Sequence, residues 1–484
     1  MGVTITDLSL DAVTLESLPR LQKLRQLHFD TTPEICLEIP RLMTQYLKQL
    51  DDSMDPPDPT ELRAGKMYED LLSHKEPHIH NDNLLAGTTT SKPKGVPLYP
   101  DMAALSIWPE LETIARRKKN RFDIAPEEIK ELNLEIAPYW LDRTVQELAR
   151  KQYHNPRCQQ VMERIVFFLV TKANCIGHTI PNYAELVNRG LQAVMDEARD
   201  KELSLGNSGG DQEKRAFYQA VQRSLQGILT YAANLSRYAA DLAQGEADPV
   251  RKQELLTMSQ VCQRVPAQPP TSFQEAVNAV WLYKVALHQE SANIALSPGR
   301  LDQVLYPAFR QDLERSRENG GAAGEQAFLK EAVELVGCLW LNICDHVPLA
   351  PEASETLFGG SGCNQAVTLG GVDMDGMDAV NDLTYVMLKA TELLKLRDPN
   401  VNARYYPGIN SQKYLGRLCD VNIKTNATPC FHNDKSVIEA LQGQGVSLAH
   451  ARDYGAVGCV EPSSAGRTFG HTGAILMNLP AALE

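Results

Sequence analysis

Beyond Phe358 the chain alternates short β-favouring stretches with helical ones, and this alternation restricts the fold more than any other feature. GGSGCNQAVTLGGVD (359–373), NVNARYYPG (400–408) and NATPCFHND (426–434) each read as a short strand running into a turn. DAVNDLTYVMLKATELLKL (378–396) and SVIEALQGQG (436–445) lie between them and read as helices. Strands separated by helices pair in parallel, as a wound sheet or a barrel, and such folds place their chemistry on loops at strand ends. The earlier half reads as mostly helical. Apolar residues recur at helical spacing over 15–30 and 35–50, with TTP between, and over 126–150 with a break at Pro138. In 212–244, Phe217, Val221, Leu225, Ile228, Ala232 and Leu235 trace one face, after a glycine-bearing lead-in at 207–210. A further helix over 271–290 has Thr271 or Ser272 as its cap.

Composition narrows the function classes. With 484 residues, 43% of them apolar, the chain can bury a large core, and its net charge of −13 argues against a polyanionic partner such as nucleic acid. No apolar run approaches a membrane span, and MGVTITDLSLDAVTLESL lacks the basic-then-apolar order of a signal peptide, so a cytoplasmic location is expected. The ten cysteines form no CxxC pair, which indicates neither a zinc site nor a disulfide framework; nearly all should be buried small hydrophobes. His78-Ile79-His80 reads as surface histidines without a third metal ligand, and Asp373-Met374-Asp375-Gly376 as a strand-exit turn.

The stretch that demands a chemical explanation is GCVEP, with Cys459 two residues from Glu461. A cysteine nucleophile works as a thiolate, which needs a cation or a helix N-terminus nearby. A carboxylate does the reverse and holds the thiol protonated. If the segment is extended, residues 459 and 461 face the same side, giving a neutral thiol beside a base. Such a thiol suits hydrogen-atom transfer rather than polar attack.

GCVEP resembles the active-site loop of the glycyl radical enzymes, the pyruvate formate-lyase-like superfamily. So do PEICLE, AGTTTSKPKGVPLYPD, APYWLDRTV, GHTIPNYAELVNRGL, PPTSFQEAVNAVWL, SPGRLDQVLYP, NQAVTLGGVD and RDPNVNARYY, which follow the order of the glycerol/diol dehydratase-type branch along nearly the whole chain. The resemblance implies one domain over 1–484: a ten-stranded α/β barrel with surrounding helices and Cys459 on a finger loop inside it. It implies that Cys459 becomes the thiyl radical and that Glu461 is the general base. His178 in IGHTIPNY matches a histidine that holds a substrate hydroxyl. Ser361 and Asn364 lie where related enzymes contact substrate, although both residue types also suit turns. His471 in FGHTGA is a further candidate for the pocket. The family's acidic residue for glycerol or choline has no counterpart in GRTFGHTGAILMN, and Gly458 replaces the first of the paired cysteines of pyruvate formate-lyase itself.

The implied reaction is radical elimination of water, an amine or sulfite from a small hydroxylated substrate. Arylacetate decarboxylation, addition to fumarate, and a non-catalytic or assembly role are the alternatives. No bound cofactor is implied beyond a glycyl radical, installed by a radical S-adenosylmethionine activating enzyme, and a homodimer is expected. The glycine loop that stores the radical, resembling RVSGYS, does not occur, and LPAALE reads as a helix cut short, so the chain is expected to be incomplete at its C-terminus and inert alone.

Overall fold

A computed structural model describes residues 4, 10–53, 58–102, 107–152, 155–164, 166–169, 177–291, 294–349, 351–352, 362–469 and 475–484. In the first half, two short strands, β1 (Glu34–Cys36) and β2 (Gly95–Pro97), pair in parallel among helices. The segment expected to be one helix from residue 35 is therefore split, with a helix starting only at Glu38. Pro138 does not break its helix. A widened turn over Leu132–Ile136 leads directly into Ala137–Trp140, so the proline ring is accommodated by relaxing the preceding turn.

Helix α1 (Gly209–Gly245) begins where its sequence dictates. Ser208 Oγ accepts from Asp211 N–H at 3.2 Å, and the Asp211 carboxylate accepts from Ser208 N–H at 3.3 Å. Its buried face includes Ile228, Tyr231, Ala232, Leu235 and Ala239, whereas Phe217 is exposed, so the expected stripe is rotated away from its first member. Helix α2 (Phe273–Glu290) is capped by Ser272 Oγ, which accepts from Glu275 N–H. It is buried on nearly every side and forms the centre of the core. A long helical run, α3 (Tyr306–Cys344), bends at Gly321 and packs on α2.

The second half holds the parallel sheet. β4 (Ala366–Gly370), helix α4 (Asp382–Leu394), β5 (Asn400–Tyr405), helix α5 (Gln412–Thr425) and β6 (Cys430–Asn433) form two consecutive crossovers in the order β4-β5-β6. All five residues of β4 are buried, as a strand covered on both faces requires. Helix α6 (Asp434–Gly443) follows, and then a hairpin of β7 (Tyr454–Val457) and β8 (Glu461–Ser464). One further antiparallel pair joins β3 (Phe167–Leu169) to β9 (Ile475–Met477). The described strands thus lie in four small sheets, without a closed ring of ten, and β6 has no second neighbour among the described residues. No described helix is long and apolar enough to cross a membrane.

Two side expectations need correcting. His78 and His80 are half-buried with their rings edge to face, and burial pushes His80 down to about 4. Of the described cysteines only Cys36, Cys262, Cys338 and Cys363 are buried, the rest being partly or wholly exposed. The Asp373 turn behaves as read: its Oδ1 accepts from Asp375 and Met377 N–H as the chain leaves β4.

Candidate active site

The hairpin that carries Cys459 is laid against β4, where Ala456 N–H donates to Thr368 Oγ1 at 2.7 Å. Tyr454 to Val457 are buried, and the chain reverses over residues 458–460. Gly458 makes the reversal possible. Its φ is +58°, and a Cβ there would stand 2.7 Å from both Glu461 Oε2 and His178 Cδ2. Any side chain at 458 would therefore meet both groups at once.

Glu461 is the first residue of β8. Its Oε2 accepts from Val460 N–H at 2.9 Å, and its Oε1 lies 3.4 Å from His178 Nε2. Asn400, at the start of β5, donates from Nδ2 to the carbonyls of Gly458 at 3.2 Å and Cys459 at 2.5 Å. The thiol and carboxylate are thus associated through a turn and not through strand alternation, because the positive φ at Gly458 ends the extended segment before Cys459. Partial burial of the sulfur, and secondly the Glu461 carboxylate, push the Cys459 thiol above its ordinary value. The residue as a whole is exposed at the hairpin tip, contrary to the enclosed position expected for it.

Two buried arginines hold the hairpin's root. Arg404 forms a bidentate pair with Asp434, at 2.6 and 3.0 Å, and donates to the carbonyls of Tyr454 at 2.9 Å and Arg452 at 2.7 Å. Arg300 reaches Asp453 Oδ1 at 3.0 Å and the Val372 carbonyl at 3.0 Å. Neither arginine was picked out in the sequence, nor was Asn400. The available signal was a charged residue inside NVNARYY, a stretch that otherwise reads as a buried strand.

Of the residues singled out, Cys459, Glu461 and His178 come together. Asn364 takes a left-handed conformation, φ +49°, in the lead-in to β4, the turn role that suits asparagine. Ser361 and His471 lie outside the described residues. The pair makes one measurable prediction. The rate of Cys459 alkylation by iodoacetamide, followed at that peptide, should rise only above the usual thiol range, and Glu461→Gln should shift the rise to lower pH. An unchanged profile would separate the carboxylate from the thiol.

Parallel crossovers with a cysteine hairpin laid on them define a class of protein. The description "pyruvate formate lyase-like" matches residues 13–484, and the chain belongs to that family. It is 28% identical over 471 residues to isethionate sulfite-lyase of Nitratidesulfovibrio vulgaris, covering 94% of this chain and 55% of that protein. A glycyl radical enzyme from Archaeoglobus fulgidus superposes with a TM-score of 0.87 at 34% identity, over 96% of this chain and 58% of that one. A structure concerned with 1,2-propanediol dehydration in Roseburia inulinivorans superposes at 0.88 with 29% identity, over 100% of this chain and 55% of that one. The expected pyruvate formate-lyase-type barrel is the architecture that these neighbours share with the chain. The chain spans a little over half the length of the relatives it matches.

Proposed function

We propose that the chain is the cysteine-bearing part of a glycyl radical lyase that eliminates water, an amine or sulfite from a small hydroxylated substrate. The observation that carries this reading is the turn at Gly458 that sets Cys459 beside Glu461, whose Oε1 lies 3.4 Å from His178 Nε2. Relatives named for isethionate sulfite lysis and for 1,2-propanediol dehydration support elimination over the other family reactions.

A hairpin tip with Cys459 exposed suits approach by another backbone segment. The glycyl radical, when present, supplies the oxidising equivalent that removes the hydrogen atom of the Cys459 thiol. Each later step uses this chain's own groups. The sulfur radical takes a hydrogen atom from the hydroxyl-bearing carbon, breaking C–H and forming S–H. A hydroxyl beside a carbon radical is strongly acidified, and Glu461 takes its proton. The bond to the leaving group on the next carbon then breaks, its electron pair departing with that group. The carbon radical left behind regains the hydrogen atom from sulfur, which restores the radical on Cys459. His178 is assigned to the substrate hydroxyl, with Ser361, Asn364 and His471 as further contacts.

Closing the site protects a reactive radical intermediate from side reactions. Val460 beside Cys459 and Phe431 on β6, which has no second neighbour among the described residues, are exposed, and the remaining length seen in the relatives is assigned to covering this face. The activating radical S-adenosylmethionine protein, a homodimer and a cytoplasmic setting belong to the same proposal. The test is anaerobic activation of the complete protein followed by incubation with diols, choline, isethionate and arylacetates. An elimination product from a hydroxylated substrate supports the reading. Product from arylacetates alone overturns it.

A further inference from the structure

We infer that Lys284 is a positioning residue for His178, bracing through one buried hydrogen bond the backbone corner from which that histidine meets Glu461. The inference rests on reading Cys459 and Glu461 as the reacting pair.

Three non-glycine residues in the left-handed region meet at this corner: His178 at φ +53°, Ala295 at +63° and Asn364 at +49°. Such conformations are disfavoured for residues with a side chain, so surrounding contacts must hold each in place. The contacts interlock. His178 N–H donates to the Ile294 carbonyl at 3.2 Å, Ala295 N–H to the Cys363 carbonyl at 2.7 Å, and Ser297 N–H to the Thr179 carbonyl at 2.9 Å. Residues 294–299 are thus a spacer between the His178 segment and β4, which they reach through Gly299.

Lys284 enters this corner from α2. It is 1% exposed, and its Nζ donates to the Leu296 carbonyl at 2.7 Å. The titratable groups facing it are Cys363 and Asp398 from the strand lead-ins, His288 on its own helix and His346 after α3. Among the described residues no carboxylate forms an ion pair with it, and its Nζ is held by the Leu296 carbonyl. Burial brings its ammonium down to about 7. A fully buried lysine is an expensive way to fill space, because an apolar side chain of equal length would pack without desolvating an amine. The amine instead satisfies a carbonyl in the middle of the strained spacer, where an unpartnered oxygen would loosen the bridge from Leu296 to Thr179 beside His178.

The test follows the 11 histidines by NMR with ring-carbon labelling, His178 being assigned from a His178→Gln spectrum. Glu461→Gln should lower the His178 titration midpoint, because the imidazolium loses its anion. Lys284→Met should move the midpoint the same way, and the double variant should add nothing to Glu461→Gln alone. Lys284→Gln, which keeps a donor on a shorter stem, should fall between parent and Lys284→Met. A folded Lys284→Met protein with the parental His178 midpoint overturns the inference. So does failure of both Lys284 variants to fold, which would assign the residue to the core. If Glu461→Gln itself leaves the midpoint unmoved, the reading of the reacting pair fails instead, whatever Lys284 does.

Discussion

Cys459→Ala should leave the chain folded and reduce product formation by the complete, activated protein to background. Cys459 sits at an exposed hairpin tip, and substitutions at such places usually change stability by about 0.5 kcal/mol or less. Alanine offers no bond from which a hydrogen atom is easily taken, so the transfer in both directions is lost together. The conformational demand falls on Gly458, which the substitution leaves alone, and the Glu461 contacts with Val460 N–H and His178 persist. Serine at 459 should fail as completely, because an O–H bond is much stronger than S–H. Activity is read by product formation and folding by circular dichroism and denaturant midpoint. Turnover near the parental rate in either variant would remove the sulfur from the mechanism.

Arg404→Met should destabilise the chain by about 3–5 kcal/mol, the range for breaking one side of a buried ion pair. Arg404 and Asp434 are both fully buried, and methionine would leave the Asp434 carboxylate without its bidentate partner. The carbonyls of Arg452 and Tyr454 would each lose a donor, and the guanidinium would no longer lie over the Tyr454 ring, 4.1 Å from its centroid. Asp434 also accepts from Val372 N–H, so the loss reaches the exit of β4. Adding Asp434→Leu should restore much of the stability, because the stranded charge goes with it. Urea unfolding of the three proteins decides the matter. A single variant within about 1 kcal/mol of the parent would show that the pair is dispensable.

Local chemistry made part of this architecture readable. The β-favouring core between glycine pairs does form a parallel strand, and Ser272 caps the helix it precedes, since these signals act within a few residues. Pro138 misled because a helix can widen by one turn to admit a proline. Phe217 misled because the face of α1 that is buried depends on its neighbours and not on its own periodicity. At the site, Cys459, Glu461 and His178 were legible as residue types, but the turn that joins them was not. Sequence spacing suggested strand alternation, whereas a positive φ at Gly458 performs the association. Asn400 and Arg404 were hidden for a different reason. Their roles are to hold carbonyls of a hairpin more than 45 residues further along the chain, a relation that no local pattern encodes.

The most direct test of the central claim follows one hydrogen atom. A substrate carrying deuterium on its hydroxyl-bearing carbon is turned over anaerobically in ordinary water by the complete, activated protein. If Cys459 sulfur takes that atom and returns it after the leaving group has gone, deuterium appears on the neighbouring carbon of the product. If the neighbouring carbon carries only hydrogen from the solvent, Cys459 is not the carrier and the account is contradicted.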